Sequence, residues 1–85
     1  MAHFARVEGI AGSQVVREVI VIANAAIENA PFPASEPIGL GFLAACDFAG
    51  EWVQTSYNAN FRGKFAGVGD LWDGATFTAP PEDES

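Results

Sequence analysis

The sequence predicts a β-rich α+β domain: an N-terminal β-hairpin, one short helix and a C-terminal β-meander. Three observations carry that class. A β-branched run, Gln14 to Ala23 (QVVREVIVIA), lies early in the chain. A Ser-Glu-Pro start at Ser35 leads into apolar residues at helical spacing. An Asp-Gly pair, Asp73-Gly74, stands between apolar segments near the end, which is a hairpin signal. Strands on both sides of a single helix give α+β rather than an alternating α/β pattern.

His3 to Glu8 alternates, with Phe4 and Arg6 on one side and Ala5 and Val7 on the other, and reads as a short strand. Gly9-Ile10-Ala11-Gly12-Ser13 is a glycine-bounded turn. In the run that follows, Val15, Arg17, Val19 and Val21 alternate with Val16, Glu18, Ile20 and Ile22. That pattern suits a strand whose far half is buried on both faces. Asn24 to Pro33 reads as loop, with one helical turn at Ala25 to Glu28 that Pro31 stops. Phe32, between two prolines, is either an exposed anchor for a partner or a lid over the domain's own core.

Ser35 suits an N-cap, and Glu36 and Pro37 suit the first turn. The spacing predicts a helix over about Glu36 to Asp47, with Ile38, Phe42 and Cys46 on one face, Leu43 beside them and Gly50 as the C-terminal cap. Gly39 and Gly41 each weaken such a helix by about 1 kcal/mol relative to alanine, so packing has to hold it. Glu51 to Tyr57 (EWVQTSY) reads as a strand, with Trp52, Gln54 and Ser56 facing one way and Val53, Thr55 and Tyr57 the other. Asn58-Ala59-Asn60 is a turn. Phe61 to Ala66 reads as a short strand, and Gly67 and Gly69 leave room for close backbone approach. A hairpin about Asp73-Gly74 completes the meander. Residues 1–79 are read as a single domain and 80–85 as an acidic C-terminal tail.

The chain has 85 residues, 49% of them hydrophobic, with seven Phe, two Trp and one Tyr, which is enough for one small core. Net charge is −7, and Glu82, Asp83 and Glu84 supply part of it. A phosphate-backbone binder needs a basic stripe, and the only clustered bases are Arg62 and Lys64, so nucleic acid is not an expected partner. An anionic membrane surface is disfavoured on the same ground, and no apolar run is long enough to span a bilayer. The start has no signal-peptide pattern. One cysteine, Cys46, admits no internal disulfide, and its apolar flanks predict a buried, inert thiol.

No constellation for catalysis or cofactor binding is legible. His3 is the only histidine, so a zinc site cannot be assembled. The one conceivable nucleophile–base pair, Cys46 with His3, is disfavoured by the apolar context of the thiol, and a surface His3 is the better reading. Asp70 and Asp73 read as turn residues rather than calcium ligands, since the twelve-residue calcium loop is absent. Gly63-Lys64-Phe65 lacks the upstream glycine and the hydroxyl residue of a phosphate loop. The sequence therefore predicts no enzyme, no metal and no cofactor. The richest segment is polar and aromatic: Trp52, then Gln54, Thr55, Ser56, Tyr57, Asn58, Asn60 and Arg62. Trp, Tyr and Arg are enriched at binding hot spots.

The stretch from Trp52 to Asp70 (WVQTSYNANFRGKFAGVGD) and the following Trp72-Asp73 resemble a motif in small, mostly uncharacterised proteins of tailed bacteriophages. The opening MAHFARVEG and the VREVIVIAN run are similar to that family's start, so the resemblance covers roughly two-thirds of the chain. The family often forms the front module of longer chains, and the extensions that follow it are absent here. The resemblance brings no catalytic residues. It implies that the Trp52–Asp70 segment defines the fold or its contact surface. Within a phage setting, small size, acidity, glycine-rich aromatic edges and the lack of a catalytic set suit a virion structural protein assembled in the host cytoplasm, most concretely a capsid decoration (cement) protein that binds the major capsid protein on the outside of the shell. Such a protein is expected to be a homo-oligomer, often a trimer. A tail, tail-fibre or connector accessory protein is the alternative within the virion, and an intracellular protein that binds a host enzyme is the alternative outside it. The expected partner contacts are Trp52, Tyr57, Asn60, Arg62 and Lys64, with Phe32 as a loop anchor. Arg62 and Lys64 would meet acidic rims of the shell at about 0–1 kcal/mol per exposed pair, leaving the aromatics to supply most of the affinity.

Overall fold

Backbone pairing between the two N-terminal apolar segments builds the centre of the molecule. The computed structural model describes residues 2–80. In it β1 (Ala2–Ile10) and β2 (Ser13–Ile22) form the expected antiparallel hairpin. β3 (Glu51–Thr55), β4 (Leu71–Trp72) and β5 (Phe77–Thr78) complete a five-stranded antiparallel sheet in the order β3-β1-β2-β4-β5. One helix, α1 (Ser35–Ala45), and a 3-10 turn over Asn24–Ile27 lie between β2 and β3. The β-rich α+β class with a leading hairpin, one helix and C-terminal strands is thus the observed one. The C-terminal strands are split across the sheet: β3 joins the outer side of β1, while β4 and β5 form a hairpin beside β2. Of the expected acidic tail at 80–85, all but Pro80 lies outside the described residues.

The alternation in β2 is broken once. Arg6 pairs with Glu18 and Val7 with Val16, so Arg17 is an extra residue, a β-bulge. Val16 thereby turns to the same face as Val7, not to that of Ile20 and Ile22. This overturns the uninterrupted period of two expected for the run. It also serves two cores from one strand. Ala2, Phe4, Ile22 and Trp52 pack with Ile27 and Leu43 on the helix side, with Ile20 at the margin. Ala5, Val7, Val16 and Val53 pack with Ala66, Trp72 and Phe77 on the other, with Val19 at the margin.

α1 meets the sheet through Ser35, Gly39 and Leu43, its buried positions. A Cβ on Gly39 would lie 2.2 Å from the Phe4 ring, so the glycine is what allows this approach. The contact face is therefore not the expected Ile38–Phe42–Cys46 stripe. Phe42 is 38% exposed and Cys46 is exposed, which corrects the buried thiol. Ser35 does not cap the helix; its hydroxyl donates to Gln54 Oε1 at 2.7 Å instead. The C-terminus closes on Asp47, whose φ of 63° is left-handed. Phe48 N–H donates to the Leu43 carbonyl at 3.0 Å and Asp47 N–H to that of Ala44 at 3.1 Å, a Schellman pattern. Gly50, expected as the cap, lies beyond this and packs on the Arg6 stem.

Residues 56–70 contain no strand, so the expected strand at Phe61 to Ala66 is absent. Left-handed backbone at Ala59 and Arg62, with φ of 58° and 60°, turns the chain out of extended geometry. The segment is fixed instead by side chains. The buried Thr55 hydroxyl accepts from Ala66 N–H at 2.9 Å, and Asp70 accepts from Gly67 N–H at 2.7 Å. Phe77 N–H donates to the Arg62 carbonyl at 2.9 Å. The segment therefore runs from β3, at one edge of the sheet, to β5 at the other, and covers the face opposite the helix.

Candidate protein-binding surface

Register places an aromatic cluster at one end of this second face. His3 on β1 stands opposite Thr55 on β3 and Val21 on β2. Tyr57 follows β3 by two residues, and the covering segment brings in Phe65. The three rings form a triangle. His3 and Tyr57 stack at 5.4 Å between centroids, and Phe65 meets each of them edge-on at 5.3 Å. Such ring pairs contribute about 0.5–1.5 kcal/mol each beyond the area they bury, so the cluster is held without a partner.

The triangle is open to solvent on its outer side. Tyr57 is 66% exposed and the neighbouring Val21 49%, while His3 and Phe65 are half-buried. Burial pushes the His3 imidazole below its ordinary pKa, which favours the uncharged ring. Lys64, next to Phe65, is held by Asp70 at 2.8 Å. The surface is accordingly apolar, aromatic and close to uncharged. Its rings are rigid and its one phenol can donate or accept, a combination suited to binding another protein.

The six residues expected to contact a partner fall into different environments. Tyr57 and Asn60 are exposed. Asn60 sits in a turn where its backbone N–H donates to the Ser56 hydroxyl at 2.9 Å. Trp52 is only 7% exposed and belongs to the helix-side core, with its indole N–H donating to the Ala49 carbonyl. It is an internal residue, which corrects its expected place at a surface. Phe32 is half-buried and stacks on Phe61 at 3.7 Å with an interplanar angle of 5°. Its ring is thus engaged within the chain, though it lies outside both cores.

Arg62 also turns inward. Its guanidinium lies 4.9 Å from the centre of the Phe32 ring and 5.2 Å from that of Trp72. It makes a two-pronged ion pair with Glu36 on α1, with Nη2 to Oε1 at 2.8 Å, and donates from Nη1 to the Gln54 carbonyl at 2.9 Å. Burial by itself would raise the Glu36 pKa. The hydrogen bonds from Arg62 and from Gln54 N–H, together with the Arg62 charge, outweigh that and hold it below the ordinary value.

All four Lys and Arg residues are engaged in this way: Arg6 with Glu8 and Glu18, Arg17 with Glu8, Arg62 with Glu36, and Lys64 with Asp70. Among the described residues Glu28, Asp47, Glu51 and Asp73 have no cationic partner. The Arg62 guanidinium, on a side chain only 20% exposed, faces Glu36, whereas the Lys64 side chain, paired with Asp70, stays 39% exposed.

His3, Val21 and Phe65 complete the surface, and none of the three is among the contacts expected from the sequence. An alternating strand says which residues share a face but not which strand lies beside it. Only the pairing of β1 with β3 brings His3 beneath Tyr57. No group of three or more His, Cys, Asp or Glu side chains able to hold a metal occurs among the described residues. Asp73 accepts from Ala75 and Thr76 N–H at 2.8 Å, which lowers its pKa and fixes the β4–β5 turn. A scan against protein-family models and searches of curated proteins and of solved structures found no match to this chain.

Proposed function

We propose that the protein is a structural component of a tailed-bacteriophage virion, a capsid decoration protein that docks through its aromatic triangle on the outer face of the shell. The observation that carries the binding role is the exposed His3–Tyr57–Phe65 cluster beside Val21, a neutral aromatic surface fixed before any partner arrives. The resemblance of Trp52 to Asp70 to phage proteins supports the virion setting. The charge arrangement supports a partner of a particular kind. With every cation engaged internally, the outward charge is acidic, and the fitting surface is an apolar recess rimmed by Lys or Arg.

Two measurements test the reading. Quantitative mass spectrometry of purified particles gives the copy number relative to the major capsid protein. A ratio near one-to-one or one-to-three supports decoration, a few copies move the protein to the tail or connector, and none removes it from the virion. Binding to undecorated shells then tests the surface. Tyr57→Ser with Phe65→Ser should weaken binding by about thirtyfold or more, the effect of losing a hot spot, with circular dichroism confirming the fold. Unchanged binding would place the contact elsewhere on the molecule.

A further inference from the structure

The geometry points to the Glu36–Arg62 ion pair as a surrogate strand: it occupies the outer edge of β3 and keeps that edge from pairing with β3 of a second copy of this chain. An end strand leaves a row of backbone groups facing outward, ready to accept another strand. β3 is such a strand, bonded on one side to β1. At Gln54 the outward groups are both taken, and by one ion pair. The N–H donates to Glu36 Oε2 at 2.8 Å and the carbonyl accepts from Arg62 Nη1 at 2.9 Å. A donor met by an acceptor and an acceptor met by a donor, at a single residue, is what a neighbouring strand supplies.

The device is built rather than incidental. The Glu36 and Arg62 side chains are each only 20% exposed. Two rings, Phe32 and Trp72, hold the guanidinium between them. Ser35 fixes the Gln54 side chain from the same turn of α1.

The edge is self-complementary, which is why a second copy is the strand it excludes. Alternation along β3 turns the N–H and carbonyl of Trp52 outward with those of Gln54. Two β3 strands set antiparallel about Val53 would place Trp52 opposite Gln54 of the copy, and Gln54 opposite Trp52, each pair exchanging both hydrogen bonds. Glu51 would then face Thr55, so no like charges meet across the pair. This inference is independent of the decoration role.

The test is the mass of the protein by light scattering across a concentration series, together with amide exchange at Trp52 and Gln54. Glu36→Ala with Arg62→Ala uncovers the edge. The expected result is a doubling of the mass relative to the native chain, with slower exchange at both amides as concentration rises. Ser35→Ala, which cuts a neighbouring helix–strand bond but leaves the edge covered, should keep the native mass. A folded double variant with the native mass at every concentration overturns the proposal, and so does equal doubling in Ser35→Ala. If the double alanine variant does not fold, Glu36→Leu with Arg62→Met, which removes both the acceptor and the donor at Gln54 and leaves no unpaired buried charge, is read by the same criterion.

Discussion

Glu36 carries a titration that the rest of the molecule feels. Its folded pKa lies below the ordinary 4.5 because Arg62 and the Gln54 N–H favour the carboxylate. A carboxylate with a depressed folded pKa contributes stability that is complete above its unfolded value and is lost as pH falls through the folded one. Urea denaturation of the native chain and of Glu36→Gln isolates this contribution. The variant should be less stable by about 1–2 kcal/mol at pH 7, the worth of charged hydrogen bonds. The gap should close as pH drops below about 4.5. A gap that stays constant to pH 2 would show that the carboxylate charge is not what stabilises the contact. Trp52 and Tyr57 make a second contrast. Trp52→Ala should cost about 3–5 kcal/mol in urea, as for a buried ring. Tyr57→Ala, on an exposed side chain that loses two ring contacts, should cost about 1–2 kcal/mol. Both residues look alike in sequence, as aromatic members of one polar run. Only the second core, supplied by α1, distinguishes them.

Among the elements, α1 shows most clearly what local pattern conveys and what it does not. Its place was legible: Ser-Glu-Pro and the spacing that follows put a helix at Glu36 to Asp47, against the observed Ser35–Ala45. Its contact face was not, because two glycines two residues apart look equivalent on the page. In the fold they are opposites. Gly39 sits on the Phe4 ring, whereas a Cβ at Gly41 would meet nothing within 4 Å. Gly41→Ala should therefore stabilise the protein by about 0.5–1 kcal/mol through helix propensity. Gly39→Ala should destabilise it by about 1–3 kcal/mol, because the packing has to shift to admit the methyl group. Thermal unfolding of the two variants reads both signs, and the same sign for both would mean that the helix does not rest on Phe4. The β-hairpin and the Asp73-Gly74 turn were legible for the same local reasons. The bulge at Arg17 was not, since its cause is the need to fill two cores from one strand. Nor was the left-handed backbone of Ala59 and Arg62, where neither residue type announces it.

At the scale of the whole molecule, the sheet is covered on both faces and the charge is sorted. Cations are spent on internal pairs, and the outward charge is acidic. For the proposed docking on a shell, that arrangement predicts a strong salt dependence of the encounter. Association of the native protein with undecorated shells should slow by roughly tenfold or more between 0.01 and 0.15 M salt, as screening shortens the reach of its field. An association rate indifferent to salt would mean that the partner surface is not basic. The division of labour also explains why the binding surface was only partly visible beforehand. Tyr57 and Asn60 lie where the chain is locally polar and turning. His3 and Phe65 join them through contacts between distant parts of the chain.

The position of β1 has a consequence for the order in which the chain can fold. Ala2–Ile10 is made before every other strand, yet it lies between β2 and β3 in the finished sheet. Its second neighbour, Glu51–Thr55, is synthesised only after the helix, and the segment that covers Ala5 and Val7 comes later still. A nascent chain that has reached α1 holds the hairpin with one edge bare and one face uncovered. Assembly in stages from the leading end would expose Phe4, Ala5 and Val7 throughout, and most of the contacts that bury them span much of the sequence. The domain is thus suited to form in one late step, when its final third becomes free to close over the strand made first.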